Sequence, residues 1–575
     1  MFARACQVVP EIASFAVDDG FAYGIPEGME PVIGSRVRVR VSGRRMRGFV
    51  TAILDEVPDK KLVPLDGIVG DIPSFAANDL PFLRWCATHY VSPVSTILKR
   101  TVPPNIPSAT RAQGDGNHRG AAKPIRSVVV PTAFGEAVAD VLAGLDDDRS
   151  AMVVVPSVVE VGQVATALTE RFGDRVVTAH SDLVNKEITA AWVKVATSPG
   201  TVVVGTRETV LWPVCGLAHI VVVQDSRRVM KSPSTPTLGV REIAHARSQS
   251  AGVALDFLAP LPSLEVLTWA TEESVPPGRC WPLVEVADRM DEPPSGSVLL
   301  ERTRTAIASV ANAGGRVFAL VGRRGYARAF RCATCGELRR CERCRAAVGR
   351  DGSCTRCGHT NGSCQACGGS TWQHLGAGIG SVVDDLSRSL PGLVGPADEG
   401  TIVTVGTERD IRTAGSVRLA VGVDVDTLTM APNYRAGEDA LRLLVRLANL
   451  VERGRGNRCL VQTADSSQPV VAALRSGRYD EFMNQERSIR AAAGFPPSGD
   501  LIAIEVSPPF DGVDDLMSEV RQVVDVHGPA EVADRMRYLM AARDLDPARL
   551  RLRSIVRTLR DRGSNVRVDV DPIDL

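Results

Sequence analysis

Between residues 332 and 367 the chain reads CATCGELRRCERCRAAVGRDGSCTRCGHTNGSCQAC, four Cys-x-x-Cys pairs in 36 residues. A Cys-x-x-Cys turn aims two thiolates at one ion, and two such turns complete the tetrahedral sulfur shell that Zn²⁺ favours. The pairs Cys332/Cys335, Cys341/Cys344, Cys354/Cys357 and Cys364/Cys367 therefore predict two closed structural zinc sites. Intervening stretches of five to nine residues permit three pairings of the knuckles, and spacing does not choose among them. Iron–sulfur ligation is the rival chemistry, and a redox role lacks any thioredoxin-like context. Eight sulfurs fill two shells, so His359 and His374 are not expected to be ligands. The remaining cysteines, Cys6, Cys86, Cys215, Cys280 and Cys459, are scattered and read as small buried apolar residues. The pattern suits metal binding in a reducing compartment better than a disulfide framework.

Two basic stretches offer a second kind of chemistry. Residues 323–350 hold nine arginines against Glu337 and Glu342, a patch for phosphates or an acidic partner, or a solvated face. Near the N-terminus, Arg36, Arg38 and Arg40 alternate along a strand-like run and would share one face, with Arg44, Arg45 and Arg47 close behind. Formal net charge is zero, so any polyanion binding must be local. Only seven of the 67 basic residues are lysines.

The elements that must position these groups change character along the chain. At 575 residues it is too long for one core. Residues 1–105 alternate short β-like runs with turns before a helical stretch, and 106–126 read as a polar linker. From 127 onward, β-branched runs such as SAMVVVPS, TVVVGT and HIVVVQD alternate with helical segments, the pattern of parallel α/β sheets. Two lobes are expected, 127–275 and 296–480, the second interrupted by the cysteines at 332–367, with a smaller α+β domain over 481–575. No stretch approaches the roughly 18 apolar residues of a membrane span. The opening MFARACQVVPEIASFAVDD carries acids where a signal peptide needs apolar residues, so a cytoplasmic location is expected.

RRGYARAFRCATCG followed by three more Cys-x-x-Cys pairs in a second α/β lobe resembles the bacterial primosomal replication-restart family, PriA or primosomal protein N′. FAYGIPEGM, GSRVRVRV and ATHYVSPVSTILKRTVPP are similar to its DNA 3′-end-binding domain, VVVGTRETVLWPVCGLAHIVVVQD to its first helicase lobe, and APNYRAGEDALRLLVRLANLVERGRGNRCLVQT to its second. The resemblance implies a β-rich N-terminal domain, two RecA-like lobes, a two-zinc insertion and a small C-terminal domain. It pairs Cys332, Cys335, Cys364 and Cys367 on one ion and Cys341, Cys344, Cys354 and Cys357 on the other. Phe21 and Tyr23 fall where the family's 3′-end pocket stands, although Ala22 and Val63 replace two of its residues; apart from the resemblance, Arg36, Arg38 and Arg40 could still grip phosphates or form a solvated strand face.

The family's motor does not carry over. A phosphate-cradling loop needs a Gly-Lys-Ser/Thr run, and no lysine here follows a glycine. VVVPTAFGEAVADVL stands in its place. The Asp-Glu-Glu-His motif aligns with Val223, Gln224, Asp225 and Ser226, leaving one carboxylate, Asp225. The stretch aligned with Ser-Ala-Thr, within FLAPLPSLEVL, reads as having lost its hydroxyls, and of Gly-Arg-Ala-Gly-Arg only Arg453 remains. The family's winged-helix domain has no room. The resemblance is thus to a degenerate, actinobacterial-type member, expected to bind branched or single-stranded DNA and other primosome proteins without hydrolysing ATP. The alternative is an active ATP-dependent 3′–5′ DNA helicase with an atypical nucleotide site.

Overall fold

Runs such as SAMVV and VVVG have no polar face to offer water, so they must be covered on both sides, as strands are within a parallel sheet flanked by helices. The computed structural model describes residues 2–58, 61–103, 123–274, 281–293, 297–322, 330–343, 348–349, 351–354, 359–374, 378–431, 433–532 and 534–574, and it contains two such sheets. The chain divides into two compact units, Met1–Val275 with Ala491–Pro572 and Pro276–Arg490 with Ile573–Leu575.

In the first unit, seven parallel strands run in the order Glu272–Ser274, Ile125–Val129, Ala254–Ala259, Leu217–Val223, Ser150–Val154, Val202–Gly205 and Val176–Ala179. Alternate residues of one strand feed opposite cores: Met152 and Val154 one, Ala151 and Val153 the other. Burial of each valine or leucine contributes roughly 1.5–3 kcal/mol. Of the polar stretch 106–126, only 123–126 are described, and Ile125 already opens the first strand of this sheet.

Ahead of this sheet lies a six-stranded one built around the hairpin Arg36–Val41 and Arg44–Leu54. Ser42 and Gly43 both have positive φ, 48° and 79°, as a two-residue turn matched to strand twist requires. That turn fixes the register, setting Arg38 opposite Arg47 and Arg40 opposite Arg45, while Val37 and Val39 enter the core.

A four-stranded antiparallel sheet, Val526–Val532, Arg535–Ala542, Asp500–Val506 and Val566–Val570, completes the unit. Leu552, Ile555 and Val556 of the helix Asp546–Asp561 share a core with its Ile502 and Ile504. Lys231 anchors its last strand: the ammonium donates to Asp569 Oδ1 at 2.6 Å, the Val570 carbonyl at 2.7 Å and the Asp571 carbonyl at 2.6 Å.

The second unit holds six parallel strands in the order Leu283–Asp288, Arg458–Thr463, Leu419–Gly422, Val317–Leu320, Val403–Gly406 and Val394–Pro396. The edge strand Leu283–Asp288 precedes residue 296; with only Val284 and Ala287 buried, it lacks the buried run that marks the inner strands. The cysteine segment leaves this sheet after Val317–Leu320 and returns to the helix Ile379–Ser387. Phe330–Cys332 pairs antiparallel with Trp372–His374, closing the segment on a two-stranded stem.

Candidate functional site

The stem decides which knuckles meet. By pairing Cys332 with Trp372 it carries the first Cys-x-x-Cys to the last. Both turns fold alike. Gly336 N–H donates to the Cys332 carbonyl at 2.9 Å and Gly368 N–H to the Cys364 carbonyl at 2.8 Å, while Cys332 and Cys364 donate to the carbonyls of Glu337 and Gly369, each at 2.8 Å. Gly336 and Gly368 have φ of 81° and 73°, which makes glycine the natural residue after each pair. Gly369 is constrained by space: a Cβ there would stand 3.0 Å from Thr334 Oγ1 and 3.1 Å from Cys332 Sγ.

A tetrahedral shell with metal–sulfur bonds of about 2.3 Å has sulfur–sulfur edges of about 3.8 Å. Cys332 Sγ lies 3.5 Å from Cys367 Sγ and Cys335 Sγ 3.6 Å from Cys364 Sγ, and all four sulfurs fall within 4.8 Å of one another. None is in a disulfide. The four can hold one metal ion. Burial raises the Cys332 thiol, but the N–H groups of Cys335 and Thr334 outweigh it and bring it down to about 6. Cys335 accepts from the Glu337 N–H, yet burial and its three sulfur neighbours push it up to about 12. One thiolate thus suppresses the next, and a dication is what relieves the repulsion.

Of the inner set, Cys341 and Cys354 are buried together against Val348. Cys344 and Cys357 lie outside the described residues. Cys354 N–H donates to the His359 carbonyl at 2.8 Å, the same five-residue reach as in the outer knuckles. His359 turns its ring toward Glu342, 3.9 Å away; the side chain of His374 is outside the described residues. Among the described arginines of 323–350, Arg331 and Arg339 are buried and Arg340 pairs with Asp465 at 2.9 Å, leaving Arg343 exposed.

In the first lobe, the helix Phe134–Val141 follows the first strand where a phosphate-binding loop would stand. It begins without a side-chain cap and carries Glu136 in its first turn, a charge that repels phosphate from the positive helix end. Asp225, at the end of Leu217–Val223, is buried; its Oδ2 accepts from Ser263 Oγ at 2.8 Å and lies 3.4 Å from Arg241. Arg241 also bridges Glu242 at 2.6 Å and Glu265 at 3.1 Å. Ser263 corrects the sequence reading of FLAPLPSLEVL: one hydroxyl survives and ties Asp225 to the start of the helix Leu264–Trp269. Arg453 is exposed beside Glu452, which pairs with Arg418 at 3.5 Å.

On the N-terminal sheet, Arg36, Arg38 and Arg40 alternate along one strand at different depths. Arg36 is 3% exposed and paired with Glu11 at 2.6 Å. Arg38 is exposed opposite Arg47, and Arg40 and Arg45 share Asp66 at 3.2 and 3.3 Å. Phe21 is exposed, whereas Tyr23 is buried with its hydroxyl donating to the Arg40 carbonyl at 3.0 Å. Val63, paired with Tyr23, is exposed. Sequence reasoning missed Gly369, Ser263 and Arg241, whose roles depend on neighbours distant in the chain.

This arrangement defines a multidomain α/β protein with two parallel-sheet lobes and a cysteine-rich insertion in the second. The PriA 3′ DNA-binding domain model matches residues 7–103. The probable replication restart protein PriA of Mycobacterium leprae is 25% identical over 581 aligned positions, 88% of each chain. Replication restart protein PriA of Treponema pallidum is 23% identical over 95% of this chain and 96% of its own. A solved structure of RecG bound to a three-way DNA junction matches with a TM-score of 0.36 and 13% identity, covering 71% of this chain and 53% of that one. Over most of its length the chain is similar to PriA replication restart proteins, the family its motifs resemble. Among the described residues, no helix is long and apolar enough to cross a membrane.

Proposed function

We propose that this chain acts in replication restart by binding stalled or branched DNA forks and recruiting other primosome proteins that reload the replicative helicase, without hydrolysing ATP. The observation that carries the second half is the state of Asp225: the one carboxylate left from the Mg²⁺ motif is buried under Ser263 and Arg241. No lysine of the chain follows a glycine, so no Gly-Lys-Ser/Thr loop leads into the helix at Phe134, and Glu136 opposes phosphate there. Catalysis of phosphoryl transfer rests on positioned cations and hydrogen-bond donors, and losing even one donor costs about 10²–10³ in rate.

Fork binding is supported by the match to a 3′ DNA-binding domain and by the arginine ladder on its hairpin, where Arg38, Arg45 and Arg47 face solvent. Phe21, Tyr23, Arg36, Arg38 and Arg40 belong to that domain, spanning 1–105. In the second lobe, Cys332, Cys335, Cys364 and Cys367 would hold one Zn²⁺ and Cys341, Cys344, Cys354 and Cys357 a second, each cross-linking two turns that have little core of their own. With lobes over 127–275 and 296–480 kept as platforms and a smaller domain over 481–575, the protein serves as a scaffold.

A combined assay on zinc-replete protein tests both halves. Tight binding to forked DNA with no DNA-stimulated phosphate release is the expected result. Robust ATP turnover would overturn the scaffold reading in favour of a 3′–5′ helicase with an unusual nucleotide site.

A further inference from the structure

A cavity of about 340 Å³ opens beside the outer cysteine knuckle, lined by Arg339, Arg340, Asn361, Gln365 and Trp372. Its wall is planar and polarisable: the Arg339 guanidinium carbon sits 4.5 Å over the Trp372 ring centroid and is held by a 2.8 Å hydrogen bond to the Gly349 carbonyl. Asn361 is 8% exposed, and its Nδ2 donates to the Arg340 carbonyl at 3.1 Å, which fixes the amide. The other end of that amide, Oδ1, is buried and accepts no hydrogen bond from the described residues. An orphaned acceptor of this kind costs the fold stability unless something supplies a donor. The ligand that satisfies this cavity is flat, has a π face for the Arg339–Trp372 stack, and carries an N–H on its edge for Asn361.

We propose that the cavity takes one unpaired base of single-stranded DNA, a reading that rests on the fork-binding function above. A nucleobase stacks on aromatic rings and guanidinium planes and offers amino or imino N–H groups on its pairing edge. Gln365 supplies a second amide at the same wall, able to donate as well as accept. Arg340 stands at the cavity, its charge shared with Asp465, and supplies a cation for the neighbouring phosphate. A base can reach the cavity only where the fork is unpaired, so the module would distinguish forks with a single-stranded arm from fully duplex ones.

The test uses the full, zinc-replete chain and fluorescent forks carrying either a single-stranded arm, the same arm with abasic sites, or no single-stranded arm. Asn361→Leu, close in volume and without the acceptor, is expected to weaken binding to the single-stranded arm about fivefold or more, with no change on the duplex fork. Abasic sites should erase the difference between wild type and variant. Trp372→Leu should behave likewise; if its metal content falls, Asn361→Leu carries the test. Equal affinity of wild type and N361L for the single-stranded arm would overturn the inference while leaving the restart function standing, whereas wild-type protein that ignores all forks would defeat both. A glutamate-rich peptide that competes in the wild type but not in N361L would also overturn it, giving the cavity to an acidic protein segment.

Discussion

Lys231 is one of seven lysines in a chain with 67 basic residues, and its surroundings explain why arginine does not serve there. Its three ammonium protons meet three oxygens at 2.6–2.7 Å, Asp569 Oδ1 and the carbonyls of Val570 and Asp571. A planar guanidinium cannot converge on three acceptors clustered about a point. Both charged side chains are largely buried, at 15% and 17% exposure, so Lys231→Met leaves Asp569 with Arg567 at 3.2 Å as its one remaining ion-pair partner among the described residues and two carbonyls without their donor. Each charge-assisted hydrogen bond lost costs about 1.5–3 kcal/mol. The loss falls on the strand Val566–Val570, which pairs only with Asp500–Val506 among the described strands. Hydrogen exchange followed by mass spectrometry should show amides of both strands opening about 10²-fold faster or more in K231M. Lys231→Arg should fall between wild type and K231M. Wild-type exchange in K231M, or full protection in K231R, would refute the argument that the tetrahedral ammonium holds this strand.

Three further outcomes are expected. Burial, reinforced by the charge of Arg549, lowers His89 to about 4, so the folded state resists a proton that the unfolded chain accepts near 6.5; stability should fall as pH drops from about 6.5 to 4 by on the order of 2–3 kcal/mol, and His89→Gln should flatten that part of the acid-unfolding profile. Gly369→Ala should lower bound zinc by about one ion per chain, because its methyl would press on Thr334 and Cys332 Sγ; elemental analysis after dialysis reads this directly, and full metal content would contradict it. Replacing Arg38 and Arg47 together by glutamine should weaken fork binding at low salt and reduce the slope of log affinity against log salt by about 1–2, whereas an unchanged slope would remove the hairpin from the DNA contact.

The buried strands were legible because a run such as VVVG can be satisfied only between two layers of helices. That the cysteines could hold metal was legible from their type and spacing, but which knuckles gather was not, since that follows from the stem that sets Cys332 against Trp372 across forty residues. Alternation along GSRVRVRV gave the face of Arg36, Arg38 and Arg40 but not their depth; Glu11, 25 residues earlier, draws Arg36 inward. Asp225 shows the same limit from the other side. Its identity was visible, but Ser263, 38 residues on, comes to it only because Leu217–Val223 and Ala254–Ala259 are neighbours in the sheet. Spacing along a chain reports local turns well, and contacts made by parallel strands hardly at all.

Cys332 belongs at once to the stem and to the sulfur cluster. A strand that slips by one residue turns every side chain to its opposite face. A slipped stem would therefore point this sulfur away from its three partners and leave the shell open. Coordination becomes a gauge of alignment: only the correctly zipped stem can close around an ion, so a loaded module certifies that the inserted segment has rejoined its sheet in the right register.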